Sequence, residues 1–222
     1  FDSGDFSLEE FDDITIEDLD LYSGNMQLNA GGTIEVKDEL DANDIQINSD
    51  GLKANKEVNA QGSLNISGDG DAELAADVTA IQNMQVDVLG EFSTTGSLTS
   101  GESMDLSSGG STQIDGTLDS GDTLDATSGG ELTINGDITS EGSLSANVAD
   151  KVQINGTVDS GDAISIDGGA AATISGDLSA ETTLDTDVSG NLNVSGNITS
   201  GDALGLTSGG STDVVGSVDS GD

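Results

Sequence analysis

The chain has 222 residues, of which 43 are Asp or Glu and four are Lys, with no Arg, His, Cys or Pro, and its formal net charge is −39. That charge excludes nucleic acid as a partner, because phosphate binding needs clustered cations, and it disfavours an anionic membrane surface. Without Cys there are no disulfides or thiolate metal sites, and no apolar run is long enough for membrane insertion.

Residues 1–25 are strongly acidic, with Glu9, Glu10, Asp12, Asp13, Glu17, Asp18 and Asp20, yet Ile14 and Ile16 still alternate with polar neighbours. This stretch is expected to be an irregular acidic first coil. Residues 26–95 carry a repeat of 19–20 residues. Leu21, Met26 and Leu28 reappear as Leu40, Ile45 and Ile47, and then Val58, Leu64, Ile66 and Leu74 are followed by Val78, Met84, Val86 and Phe92.

From residue 96 to 222 the period is twenty without a slip. Gly96, Gly116, Gly136, Gly156, Gly176, Gly196 and Gly216 mark it, and each is followed two residues later by an aliphatic: Leu98, Leu118, Ile138, Val158, Leu178, Ile198, Val218. Low hydrophobicity with high charge usually means disorder, but a disordered chain has no reason to keep aliphatics in register. A fixed period of this size marks a solenoid, one coil per repeat.

One coil, residues 116–135, shows the design. Gly116–Leu118, Thr123–Ala126 and Leu132–Ile134 alternate apolar and polar, which marks strands with one buried face. Ser120-Gly121-Asp122, Ser128-Gly129-Gly130 and Asn135-Gly136 supply turn chemistry between them. The fold expected is all-β: a right-handed parallel β-helix (solenoid) with three-strand coils of about 20 residues, one continuous body. Its core columns would be Met104, Leu124, Leu144, Ile164, Leu184, Leu204, then Ile114, Ile134, Ile154, Ile174, Val194, Val214, and a smaller one through Leu106, Ala126, Ala146, Ile166, Thr186 and Leu206. Gly and β-branched residues leave no room for amphipathic helices.

Chemistry-bearing candidates lie at the turns. Glu102, Asp122, Asp162, Asp202 and Asp222 share one column, and Asp119, Asp159 and Asp219 another. Their bland reading is a solvated acidic surface that keeps a rod soluble; the sharper one is Ca²⁺ bridging between turns by carboxylates and turn carbonyls. The nine-residue calcium-binding repeat is absent. No cofactor is required. An enzyme is not expected: nothing interrupts the repeat after residue 96, and neither His nor Arg is present to act as acid, base or oxyanion clamp. Rows of paired Thr for ice binding are missing. Asn-x-Ser/Thr triplets at Asn65, Asn155, Asn193 and Asn197 read as stacked turn residues, and the aromatics are too few for a sugar-stacking platform.

The run Gly196-Asn197-Ile198-Thr199-Ser200-Gly201-Asp202-Ala203-Leu204-Gly205-Leu206-Thr207-Ser208-Gly209-Gly210 resembles the haemagglutinin repeats of filamentous-haemagglutinin-type exoproteins, bacterial adhesins exported by two-partner secretion. The resemblance covers about residues 40–222 and implies a secreted, cell-surface or extracellular location and a right-handed β-helix. The family's secretion domain carries NPNG-type and NPL-type motifs. A chain without Pro has neither, so a shaft segment is expected. The ends, Phe1-Asp2-Ser3-Gly4-Asp5 and Val218-Asp219-Ser220-Gly221-Asp222, nearly match and suggest a piece of a longer polypeptide that associates with itself end to end or laterally. The leading expectation is a structural, adhesive rod of a surface, biofilm or matrix protein, with a cell-surface receptor or a polysaccharide as a further partner. The alternatives are a Ca²⁺-dependent binding or bridging module and, third, a polysaccharide-active β-helix enzyme.

Overall fold

A computed structural model describes residues 4–17, 19–20 and 23–221. The described residues contain no helix. Their strands form three parallel sheets of 11 strands each, and the chain visits the sheets in strict rotation. Each rung is one coil: a five-residue strand such as Leu124–Ser128 in the first sheet, a three-residue strand such as Leu132–Ile134 in the second, and another such as Ile138–Ser140 in the third. Parallel pairing satisfies the backbone of each rung through the rungs on either side. At about 4.8 Å per rung, eleven rungs make a rod of about 50 Å.

The expected columns form. Met104 stands on Met84 and under Leu124; Ile114, Ile134 and Ile154 stack directly. Leu98, Met104, Ile114, Leu118, Leu124, Ile134, Ile154, Ile164, Ile174, Leu184 and Val194 are all buried. Leu204 and Val214, in the last described rung, are half-buried. One apolar cluster runs from Ile14 to Ile198. Each buried aliphatic contributes about 1.5–3 kcal/mol, so a thin core accumulates stability rung by rung. Volume is traded locally: Gly168 sits where a Cβ would lie 3.1 Å from Val188 Cγ1 and 3.4 Å from Val152 Cγ2, so its two neighbours fill the place of its missing side chain.

Strand bounds differ from the expected ones in one instructive way. Ser120 and Ser128 end strands and are buried, whereas Gly116 lies outside the strand. The serines were expected in the turns because serine is a turn former. Their hydroxyls point inward instead, where each adds a second hydrogen bond to turn carbonyls that already accept an N–H from a neighbouring rung. Ser120 Oγ donates to Glu102 O at 2.9 Å or Thr123 O at 2.8 Å. Ser100, Ser140, Ser160 and Ser200 repeat the arrangement.

The glycine column works by close approach. Of all the described glycines only Gly216 has a positive φ, 159°. A Cβ on Gly116, Gly136 or Gly156 would collide with the carbonyl of the glycine one rung below. Lower in the stack the corner is different. Ala76 lies under Gly96, so glycine is not needed at every level.

Two details of the first rungs depart from the spacing. The residue stacked beneath Leu40 is Leu19, and Leu21 lies outside the described residues. Early coils vary in length: Ile34 stands under Leu52 and Met26 under Ile45, while Leu19 to Leu40 is longer than either. Asp5 lies under Asn25, in the column that continues through Asp44, Ser63, Asn83 and Ser103. Gly4-Asp5 is therefore one residue out of step with Gly201-Asp202, whose Asp follows the column of Asp162 and Thr182. The likeness of the two terminal pentapeptides does not carry over into stacking register.

Candidate functional site

Parallel stacking turns each sequence position into a line of neighbours, so the acids are best described by column. In the third sheet the outward column reads Thr99, Asp119, Thr139, Asp159, Ser179, Thr199, Asp219. Each of these acids is flanked by hydroxyl residues, so none meets another on an adjacent rung. In the turn column, Glu102 and Asp122 are on adjacent rungs, Asp122 N donating to Glu102 O at 3.2 Å. Gly142 and Thr182 interrupt that column on either side of Asp162, and Asp202 follows Thr182. Asp222 lies outside the described residues. Among the described residues no group of three or more Asp or Glu converges as a metal site would require.

Several turn carboxylates instead accept hydrogen bonds between rungs. Asp162 takes one from Thr182 Oγ1 at 2.8 Å and one from Ser143 Oγ at 2.9 Å. Those bonds, the Thr182 bond foremost, hold its carboxyl below the usual range. Asp122 Oδ2 accepts from Ser103 Oγ at 3.4 Å.

A more regular device escaped the sequence reading. The residue just before a strand often uses its side-chain oxygen to accept the N–H of the equivalent residue one rung on. Asp77 serves Ser97 N at 2.8 Å, Asp137 serves Thr157 N at 2.8 Å, and Asp177 serves Asn197 N at 2.7 Å. At the other two corners Asp71 serves Glu91 N at 2.8 Å, and Asn83 serves Ser103 N at 3.3 Å. Corner N–H groups lie outside the ladder, so the side chain supplies the missing acceptor. The backbone and side-chain bonds from Thr157 hold the Asp137 carboxyl low. The signal was present in sequence as Asp directly after a corner glycine at Asp71, Asp137 and Asp177, though not at Asp77 or Asn83, and it was masked by the generic turn preference of those residues.

Like-charge contacts also occur on the sheet faces. Asp105 stands directly under Asp125, with Asp87 on the rung below. Partial burial first, then the charges of Asp125 and Asp87, raise the Asp105 carboxyl above the usual range. Glu39 is raised by Asp41 foremost, with desolvation and Glu57 adding to it. Three lysines sit in exposed ion pairs: Lys37 with Glu35 at 3.6 Å and Glu17 at 3.9 Å, Lys53 with Glu73 at 3.4 Å, Lys151 with Glu131 at 3.8 Å. Such pairs contribute little to stability, about 0–1 kcal/mol each. A concavity of about 550 Å³ lies on the outer face of the first sheet near Asp5, Phe6, Asn25, Gln27, Asp44 and Gln46. It brings amides and two carboxylates together, and it contains no nucleophile paired with a base.

No family model, no curated protein and no solved structure matches this chain.

Proposed function

We propose that this chain is the shaft of a secreted bacterial surface or matrix protein, a stiff spacer that holds another module away from its base. The observation that carries the reading is the unbroken stack: three sheets in register through 11 rungs around one core. Because each rung templates the next, length grows without a larger core, which suits a spacer. The acids support the same role. Several are dispersed by hydroxyl residues or tied into corner bonds, and those stacked on one another stay on the outer faces, an arrangement that keeps a long rod soluble and discourages sheet faces from sticking together. The coil motif's resemblance to filamentous-haemagglutinin-type repeats agrees with a surface shaft.

The test is a height measurement. The chain is placed between a membrane-anchored base and a fluorescent module, and the height of the module above the membrane is read by axial fluorescence localisation. Removing residues 136–175, two whole coils, should lower the module by about 10 Å. No change in height, or the same height with a Gly/Ser linker of equal residue count, would defeat the spacer role.

A further inference from the structure

The sequence contains two Asn-Gly steps, Asn135-Gly136 and Asn155-Gly156, and the solenoid stacks them on adjacent rungs at the corner between the second and third sheets. In such a step the deprotonated glycine nitrogen can attack the side-chain amide carbon of the Asn. A new C–N bond closes a five-membered succinimide, the bond to the side-chain nitrogen breaks, and ammonia leaves. Water then opens the ring at either carbonyl, giving Asp or isoaspartate. One water is consumed, one ammonia is released, and no electrons are transferred.

Two features of the fold govern this reaction. The first favours it at both sites. Neither Gly136 N–H nor Gly156 N–H donates a hydrogen bond among the described residues, and both asparagines are exposed. The second separates the sites. Asn155 Nδ2 donates to Asn135 Oδ1 at 2.7 Å, and Asn135 Nδ2 donates to Asp115 Oδ1 at 2.7 Å. An ionised Asp115 only accepts, which fixes the direction of the whole ladder. Gln113 Nε2 closes its lower end, 3.2 Å from the same oxygen. The Asn135 amide is therefore held at both its oxygen and its nitrogen, the latter by a carboxylate. Asn155 is held at its nitrogen alone. The Asp115 charge also opposes the anionic nucleophile and the oxyanion that attack on Asn135 would create, and it would face a second carboxylate in the product.

We propose that Asn155 is a site of spontaneous main-chain modification in this rod, and that the Asp115–Asn135–Asn155 ladder directs the reaction there while protecting Asn135. Isoaspartate at 155 inserts an extra methylene into the main chain at a corner where Gly156 packs between the glycine backbones of the rungs on either side. That rung then no longer fits its neighbours. The modification marks the age of the rod by loosening it at one level.

The experiment incubates the full chain at mildly alkaline pH and physiological temperature. It follows both sites by peptide mass mapping, with isoaspartyl methyltransferase labelling to score the isoaspartate. In the folded chain Asn155 should convert roughly tenfold faster than Asn135. In urea, where the ladder is gone, the two should convert at similar rates. Asp115→Ser removes the lower anchor, and the equivalent corner positions Ser175 and Ser195 are already serine. In that variant Asn135 should accelerate towards the rate of Asn155. Equal rates in the folded chain, no conversion at Asn155 while the unfolded chain reacts, or an Asn135 rate indifferent to Asp115→Ser would each overturn the proposal. If circular dichroism shows that Asp115→Ser does not fold, the folded-to-unfolded rate ratios of the unaltered chain decide alone.

Discussion

Thr186 is fully buried in an otherwise apolar column, between Ile166 and Leu206, and its hydroxyl has no partner among the described residues. A buried hydroxyl without a bond costs about 1–3 kcal/mol. Thr186→Val keeps the shape and removes that cost, so the urea midpoint should rise by the equivalent of about 1 kcal/mol; an unchanged or lower midpoint would mean that the hydroxyl is satisfied after all. Ser120 is the opposite case. Its hydroxyl serves turn carbonyls, so Ser120→Ala should lower stability by about 1 kcal/mol in the same assay. The loss should stay modest, because Ala180 already occupies an equivalent position without collapse. Asp105 makes a prediction about pH. Its folded-state carboxyl is raised, so the stabilising effect of its proton is present below the ordinary Asp range of about 3.9 and lost as pH rises through the raised value. Asp105→Asn should therefore raise the melting temperature at neutral pH, and the gain should fade as pH falls through the raised value and be gone below about 4. Asp137 and Asp162, held low by their hydrogen bonds, run the other way: their contribution is present above the ordinary range and lost on acidification.

At the scale of the coil, the period made most of the architecture legible. A glycine with an aliphatic two residues on, repeated every twenty residues, placed Leu118, Leu124 and Ile134 inward without any knowledge of contacts. The turn assignment failed at Ser120 and Ser128, where the inward–outward alternation of the strand continues, because a serine that bonds a carbonyl inside and a serine that makes a turn outside have the same letter. The corner acceptors Asp77, Asp137 and Asp177 were hidden for a related reason. Their partner is the same position one coil later, a relation that local turn rules do not describe. The glycines were found, but their role belongs to stacking rather than to φ. Gly156→Ala tests that role. The added Cβ meets the backbone of Gly136, so the rungs must part, and the loss should be about 1–3 kcal/mol or more by denaturant melt. A neutral substitution would show that the corner has slack.

At the scale of the whole molecule the charge of −39 sets the response to salt. Carboxylates spread over the faces and corners, with no converging group of three or more acids among the described residues, repel diffusely and are screened by any cation. The melting temperature should climb with NaCl, and CaCl₂ at matched ionic strength should give the same climb. A saturable rise specific to Ca²⁺ would revive the calcium-dependent reading. The location and the partner of the rod were not legible in this chain, because outward positions answer to solvent and to partners rather than to the period.

The rod exists only if equivalent positions of successive coils lie one above another. Spin labels at Gln85 and Asp185 test this most directly. Both are exposed on the outer face of the first sheet, and the column between them passes through Asp105, Asp125, Ser145 and Ser165. Pulsed electron resonance should find a narrow distance distribution near about 24 Å, five rung spacings. A broad distribution centred at about 50–60 Å, as expected for a flexible chain of that length, would contradict the stacked rod.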